Sequence, residues 1–112
     1  MAAGEPWEWL EMADGEVREL VVVGLDEGVA SFVRERDGMA RTTTALRLYV
    51  DPRSKPTVPP WFDTNAQLLI PSLRALLGAP GALPRRIRLR KYGTGPAGRY
   101  ALEDLGRATV GV

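Results

Sequence analysis

The chain has 112 residues, a one-domain length, and 45% of them are hydrophobic, which suffices for a modest core. Because it contains no cysteine and no histidine, it lacks disulfides, thiolate zinc ligands and the commonest catalytic base, so we predict a cytoplasmic, non-enzymatic protein without metal or cofactor. No apolar run reaches the roughly 18 to 20 residues of a membrane span. The formal net charge of +1 combines a balance of −7 over residues 1–33 with one of +9 over residues 34–99.

Residues 1–16 are predicted to form an acidic arm outside a single domain, residues 17–112. The arm combines five acids with glycine, proline, Trp7 and Trp9, and it shows no sustained period. We expect it either to be loosely attached or to pack through one tryptophan, and to compete with a polyanion for the basic residues. The alternative is that the acidic and basic halves neutralise each other on the folded surface.

Two strands are predicted after the arm. Val17–Leu25 is rich in β-branched residues and indicates a buried strand, with Gly24 where a bulge would bend it. Asp26–Gly28 is predicted as a turn and Val29–Arg36 as the second strand. An Asp-Gly pair follows, which is a strong hairpin signal and leads into a third strand.

The third predicted strand, Arg41–Val50, alternates in character. Leu46, Leu48 and Val50 fall on one face, which we assign to the core, with Thr42 and Thr44 in the same phase. The other face is expected to display Arg41, Arg47 and Tyr49.

A loop and one helix are predicted next. Residues 51–60 contain four prolines and are expected to form a loop. Trp61 and Phe62 follow, either stapling the helix start to the sheet or serving as a stacking platform. Thr64 with a glutamine three residues on matches a capping box for a helix that Gly78 ends, although Pro71 requires either a kink or a helix that starts there.

Arg85–Lys91 and Arg99–Glu103 complete the prediction as two strands joined by a glycine-rich turn. The order is therefore β-β-β-α-β-β. This is the order of the five-stranded OB barrel, so we predict a mainly β fold with one helix and an OB-like barrel. Other small α+β folds can share this order.

The densest chemical signal lies in the fourth strand. At period two, Ile87 and Leu89 point inward while Arg86, Arg88 and Arg90 point outward; we call these three the arginine row. Their spacing of about 6.6 Å, from a rise of roughly 3.3 Å per residue, is close to that of nucleotide phosphates. Arginine binds phosphate through its planar fork and stacks on bases, so the row predicts a phosphate track. The alternative is an edge strand that charge protects from aggregation.

Further cations and aromatic rings are expected to extend this face, since stacking and backbone charge together bind single strands without sequence preference. The predicted nucleic-acid-binding residues are Arg34, Arg36, Arg41, Arg47, Tyr49, Arg86, Arg88, Arg90, Lys91, Tyr92, Arg99 and Tyr100. The candidates for stacking or partner contact are Trp61, Phe62, Trp7 and Trp9. Phe32 is a further candidate, although a phenylalanine among strand residues is more typical of a core.

The C-terminal hairpin resembles small phage-type single-stranded DNA-binding proteins of the OB-fold class. The resemblance rests on a basic strand that runs into a glycine turn and then Arg-Tyr, here Arg90 to Gly95 followed by Arg99 and Tyr100. It implies a barrel that coats exposed strands during replication or recombination. The acidic segment of this chain is N-terminal instead of C-terminal, so recruitment of partners by an acidic tail does not carry over.

The predicted function is sequence-independent binding of single-stranded DNA or RNA, with no membrane association. A homo-oligomer or a protein partner held through the arm is also compatible with the sequence. The alternative function is a non-enzymatic interaction or regulatory module of phage or host that grips a protein through Trp7, Trp9 and Trp61. The scarcity of lysine in a chain rich in Ala, Gly, Leu, Arg and Pro is typical of a GC-rich genome, and a thermophilic source is one interpretation.

Overall fold

Five strands and one helix make up the fold in a computed structural model that describes residues 7–34, 36–94 and 98–109. The strands are β1 (Val17–Val33), β2 (Ala40–Val50), β3 (Trp61–Thr64), β4 (Arg85–Tyr92) and β5 (Arg99–Arg107), and the helix is α1 (Ile70–Leu77). The predicted mainly β class, with one helix after the third strand, is confirmed. The boundaries of the first three strands differ from the prediction.

The first two predicted strands are one continuous strand, β1, so the predicted turn at Asp26–Gly28 is wrong. Pairing with β2 runs straight through this segment, with Gly28 opposite Ala45. The cross-strand partners override the local turn preference of an Asp-Glu-Gly sequence. The bulge predicted at Gly24 is confirmed, because the register shifts between Val22 and Gly24 and the ring of Tyr49 lies where a Cβ on Gly24 would approach it at 3.2 Å.

The hairpin predicted from the Asp-Gly pair connects β1 to β2. Gly38 adopts a positive φ of 67°, and its N–H donates to the carbonyl of Arg34 at 2.7 Å. Arg34 and Arg36 therefore lie in the connection and not in a strand, because β1 ends at Val33. Glu35, the last position before Arg36 in the predicted second strand, lies outside the described residues.

The third strand of the structure is β3, which the sequence analysis assigned to a staple or platform. It pairs with β2, placing Phe62 opposite Leu48 and Asp63 opposite Arg47. Residues 51–60 contain no helix or strand, as predicted. The helix begins at Ile70, with Pro71 in its first turn, where its missing N–H costs no intrahelical bond. The alternative of a helix starting near this proline is therefore confirmed. The predicted capping box is wrong, because Thr64 belongs to β3 and the N-cap residue is Leu69, which makes no side-chain cap hydrogen bond.

The sheet has the order β3-β2-β1-β4-β5, and all its neighbouring strands are antiparallel. Among the described residues no pairing joins β3 to β5, so the sheet is open there and does not close into a barrel. The helix covers its inner face through Leu73 and Leu77. The buried core residues are Leu10, Leu20, Val22, Leu46, Leu48, Val50, Phe62, Leu69, Ile70, Leu73, Leu77, Ile87 and Leu89.

The described part of the arm, residues 7–16, is attached to the sheet on both sides of this opening. Leu10 lies in the core, and its N–H donates to the carbonyl of Asp63 at 2.7 Å, forming a parallel bridge along β3. Farther along, the N–H of Gly15 donates to the carbonyl of Lys91 on β4 at 2.8 Å. The arm therefore inserts a leucine, and not a tryptophan, into the core. Residues 1–6 lie outside the described residues.

Candidate nucleic-acid interface

The alternation predicted for β4 is confirmed. Ile87 and Leu89 are completely buried, whereas Arg86 and Arg90 are exposed and Arg88 is half-buried on the opposite face. The two apolar side chains hold the strand against the core and leave the arginine row on the outside. The neighbours of each arginine on β1 and β5 then decide whether its charge is available.

Arg88 lies between two glutamates, one on each neighbouring strand. Glu19 and Glu103 stand directly opposite it in the registers with β1 and β5, and its guanidinium lies 3.0 Å from the first carboxylate and 3.1 Å from the second. The pKa of Arg88 is raised, chiefly by the hydrogen bond to Glu19 and then by the charge of Glu103. Its charge is therefore balanced within the sheet, contrary to the prediction of an open phosphate track.

The two arginines before it are paired as well. Arg86 lies 3.9 Å from Glu19, and Arg85 donates to both oxygens of Asp104 at 2.9 and 3.0 Å. The pKa of Asp104 is lowered, first by the N–H of Gly106 and then by Arg85. We call residues 85–89 the paired half of β4. The pairing matches the alternative that acidic and basic residues neutralise each other on the folded surface. The other alternative, a charged edge strand, is wrong, because β4 lies between β1 and β5.

The other end of β4 differs in every one of these contacts. Arg90 faces Val17 on one side and Ala101 on the other, and Tyr92 faces Arg99 on β5. Both arginines are exposed, and 53% of Tyr92 is accessible. Within the described ranges neither arginine has a carboxylate or hydrogen-bond partner. We call Arg90, Tyr92 and Arg99 the hairpin patch.

Behind this patch, on the inner side of the same hairpin, lies a cavity of about 660 Å³. It occupies the opening between β3 and β5. Lys91 and Tyr100, a cross-strand pair, line it together with Arg99. The other lining residues are Trp9, Leu10, Asp63, Thr64, Asn65, Ala66, Gln67, Leu68, Leu69 and Gly98.

Arg47 is buried, so the prediction that it is displayed on the open face of β2 is wrong. Only 3% of the residue is accessible. Its Nε and Nη2 donate to the two oxygens of Asp63 at 2.8 and 3.1 Å, and Asp63 is fully buried. The pKa of Arg47 is raised above its ordinary value, mainly by this hydrogen bond. The pair joins β2 to β3.

The tryptophans explain this burial, because their rings cover the guanidinium. Its central carbon lies 4.2 Å from the ring centroid of Trp61 and 5.5 Å from that of Trp7. Trp7 stacks on Trp9 with centroids 5.1 Å apart, and Tyr49 meets Trp61 edge to face at 5.8 Å. The described part of the arm therefore covers Arg47 with an aromatic ring.

Phe62 belongs to the core, with 9% of its surface accessible, so it staples β3 to the sheet. The cations predicted at the end of the second strand and at the start of the third lie near the β1–β2 connection. Arg34 donates to Asp37, and Arg41 lies 3.8 Å from the same carboxylate. Phe32, for which a core position was favoured, is 45% accessible. These residues are separate from the hairpin patch in the strand register.

The sequence analysis did not identify the acidic residues that pair with these arginines, namely Glu19, Glu103, Asp104 and Asp63. A signal existed for Glu19, since it alternates with the buried Leu20, but its position opposite Arg88 depends on register. The cavity-lining residues Asn65 and Gln67 were also missed, because they come from the segment between β3 and the helix.

Comparison of the chain with family models, with curated proteins and with solved structures found no match. In the described portion, no helix is long and apolar enough to span a membrane. Nor do three or more carboxylates gather there in a way that could hold a metal ion. The function therefore has to be argued from the residues themselves.

Proposed function

We propose that this protein binds single-stranded nucleic acid, DNA or RNA, without sequence preference, and that the hairpin patch is the principal contact. One observation supports the proposal most directly: Arg90 and Arg99 are exposed beside an accessible Tyr92 and have no carboxylate partner among the described residues. A paired arginine has to give up a protein carboxylate before it can bind phosphate, whereas Arg90 and Arg99 can bind phosphate without breaking such a pair.

The chemistry of the patch suits a single strand. Two guanidinium groups bind successive phosphates, and the tyrosine ring between them offers a stacking surface worth about 1 to 3 kcal/mol per base. Both interactions are indifferent to base identity. Binding is therefore expected to be nearly independent of sequence and to weaken as salt rises.

The strand order supports an OB-like barrel as the proposed architecture. A long first strand between β2 and β4, with a helix between the third and fourth strands, corresponds to the partly open OB barrel. In that fold, oligonucleotides bind to the face of strands 2 and 3 and to the loops between strands 1 and 2 and between strands 4 and 5. The hairpin patch belongs to the last of these loops. The arm covers Arg47 on the β2–β3 face, which leaves the β4–β5 hairpin as the main contact.

A fluorescence titration with oligonucleotides at two salt concentrations tests the proposal. Arg90→Glu should weaken binding and reduce the salt dependence by roughly 0.7 in the log–log slope for each lost phosphate contact. Arg86→Glu is the matched control, because it makes the same charge change on the same strand and face. Equal losses in the two variants, or no binding of the wild type at low salt, would overturn the proposal.

The rival function is protein binding through the tryptophans, and two of these three residues contact Arg47 within the protein. Trp7 and Trp61 are engaged with Arg47, whereas the accessible apolar side chains Val29, Phe32, Val33 and Met39 lie on the β1–β2 hairpin. A pull-down from a nuclease-treated lysate separates the two functions. Retention of a defined protein by a chain that has no oligonucleotide affinity would favour the rival.

A further inference from the structure

We infer that the cavity in the opening between β3 and β5 binds one nucleotide unit, with its phosphate held by Lys91. This inference rests on the proposed function for the nature of the ligand. Of the hairpin patch, Arg99 also borders the cavity, whereas Arg90 and Tyr92 are not among its lining residues. The patch lies on the outer face of the hairpin. Lys91 and its cross-strand partner Tyr100 face the cavity.

Lys91 is the first argument, because it is a buried cation without a counterion. Only 9% of the residue is accessible, and its Nζ lies 4.3 Å from the centroid of the Tyr100 ring. Among the described residues it has no hydrogen-bond acceptor and no carboxylate. In the described part of the chain, Trp61 Nε1 is the only fully buried side-chain nitrogen or oxygen without a partner, so the Nζ of Lys91 is not sealed in the core. Most of the side chain is enclosed while its charged end reaches the cavity, and an anion there would stabilise it.

The second lysine of the chain makes the contrast clear. Lys55 is equally buried, with 7% accessible, but its Nζ donates to the carbonyl of Pro59 at 2.6 Å and to Thr57. It also lies 3.5 Å from the carboxylate of Glu8. The fold therefore satisfies one buried lysine with its own groups and leaves the other directed to a cavity. The missing partner of Lys91 is an anion that enters from outside.

The lining of the cavity indicates which anion this is. Its volume of about 660 Å³ falls within the usual range for small-ligand sites, roughly 300 to 1,000 Å³. Trp9 and Tyr100 offer ring surfaces for a planar base, and Asn65 brings an amide group that can bond its edge. The amide nitrogen of Gln67 already donates to Thr43 and to the carbonyl of Asn65, which leaves its oxygen for a ligand. A phosphate attached to a heteroaromatic base meets all these groups.

The one carboxylate in the lining does not oppose this assignment. Both oxygens of Asp63 accept hydrogen bonds from Arg47, and one of them also accepts from the N–H of Glu8 at 2.8 Å. Its charge is therefore neutralised within the protein. Arg99 borders the cavity, but it stands opposite Tyr92 in the register and belongs to the outer face. The charge that the lining directs to a ligand is therefore that of Lys91, which favours an anion.

The two lysines provide a direct spectroscopic test on the unmodified protein. With ¹⁵N-labelled lysine, the side-chain signals come from Lys55 and Lys91 alone. Adenosine 5′-monophosphate should shift the Lys91 signal and leave that of Lys55 unchanged, whereas adenosine, which lacks the phosphate, should shift neither. An unchanged Lys91 signal, or equal responses to the two compounds, would overturn the inference.

A variant then measures the contribution of the ammonium group. Lys91→Met keeps the length of the side chain and should weaken binding of the mononucleotide about tenfold or more, since a charge-assisted hydrogen bond is lost. Arg86→Gln removes one positive charge outside the cavity and should leave the affinity unchanged. An unchanged affinity in Lys91→Met, or the same loss in both variants, would contradict the inference.

Oligonucleotides with and without a 5′-phosphate distinguish a strand end from an interior nucleotide. Stronger Lys91-dependent binding of the phosphorylated strand places an end in the cavity, and equal Lys91-dependent binding of both places an interior unit there. Oligonucleotide binding that depends on Arg90 but not on Lys91 would refute the inference and keep the proposed function. If a mononucleotide binds through Lys91 but no oligonucleotide binds at all, the inference is supported and the proposed function is refuted.

Discussion

The two ends of β4 share one alternating sequence pattern but differ in the environment of their cations. In the paired half, Arg88 lies between Glu19 and Glu103, whereas in the hairpin patch Arg90 lies between Val17 and Ala101. The difference does not come from β4, since the arginines alternate regularly along it. It comes from which residues β1 and β5 place opposite each position. The number of cations in one strand therefore does not predict the net charge on that face of the sheet, because neighbouring strands can place carboxylates beside them.

Arg47 extends the same comparison to the interior. It follows the outward phase of β2, as the arginine row follows that of β4, but β3 places a carboxylate opposite it and the arm places an indole ring over it. Its role is to hold β2, β3 and the arm together. Arg47 and Arg88 are paired within the protein, whereas Arg90 is available to a ligand. Substitutions at the paired cations should therefore lower stability, and substitution of Arg90 should lower binding.

The largest effect on stability is expected at the buried pair. Asp63→Asn removes the carboxylate that accepts two hydrogen bonds from the buried Arg47 and should lower the free energy of unfolding by about 3 to 5 kcal/mol. Denaturant unfolding measures the change. Glu11→Gln, on the exposed part of the arm, is the control and should stay within about 0.5 kcal/mol of the wild type. A small loss in Asp63→Asn would mean that Arg47 does not depend on this pair.

A smaller loss is expected in the paired half of β4. Arg88→Ala removes contacts with two carboxylates and leaves Glu19 and Glu103 facing each other across the strand. Because the three side chains are partly exposed, the loss in the free energy of unfolding should be measurable but clearly smaller than that of Asp63→Asn. A double-mutant cycle with Glu103→Ala should return a favourable coupling energy. Zero coupling would place Arg88 with the available cations.

Acidification should weaken the ion pair between Arg85 and Asp104 in the paired half. The pKa of Asp104 lies below its ordinary value of 3.8 in the folded protein, so its contribution to stability is present above that value and is lost as the pH falls through the lower, folded pKa. The stability difference between the wild type and Asp104→Asn should therefore shrink below pH 3.8. Unfolding curves at neutral and acidic pH measure it. A difference that persists in acid would contradict the assignment.

The smallest effect on stability is expected in the hairpin patch. Arg90→Ala removes an exposed side chain that has no partner among the described residues, so the free energy of unfolding should change by no more than about 0.5 kcal/mol. Its oligonucleotide affinity should nevertheless fall. A loss of stability equal to that of Arg88→Ala would remove the distinction between the two ends of β4.

Local patterns predicted several elements correctly. The alternation of β4 identified Ile87 and Leu89 as core residues, because period two is a property of the extended backbone itself. Gly24 marked the bulge, and the Asp-Gly pair marked the hairpin. Pro71 allowed for a helix that starts at that position, since proline fits the first turn.

The errors have a common physical origin. The segment Asp26–Gly28 has turn-forming residues but remains extended, because β2 pairs with it along its whole length. β3 has four residues, too few to show a period, and it exists through its pairing with β2. In both cases the partner strand, which lies elsewhere in the chain, decides the conformation.

The sequence by itself determined the mainly β class with one helix, the inward and outward phases of β4, and the absence of cysteine and histidine chemistry. Only the tertiary structure decided which cations are available, because strand register places a glutamate beside Arg88 and a valine beside Arg90. It also decided that Lys91 faces a cavity while Lys55 is satisfied by its own loop. The electrostatic environment of a charged group depends on neighbours a few ångströms away, and in a sheet most of these come from distant parts of the chain.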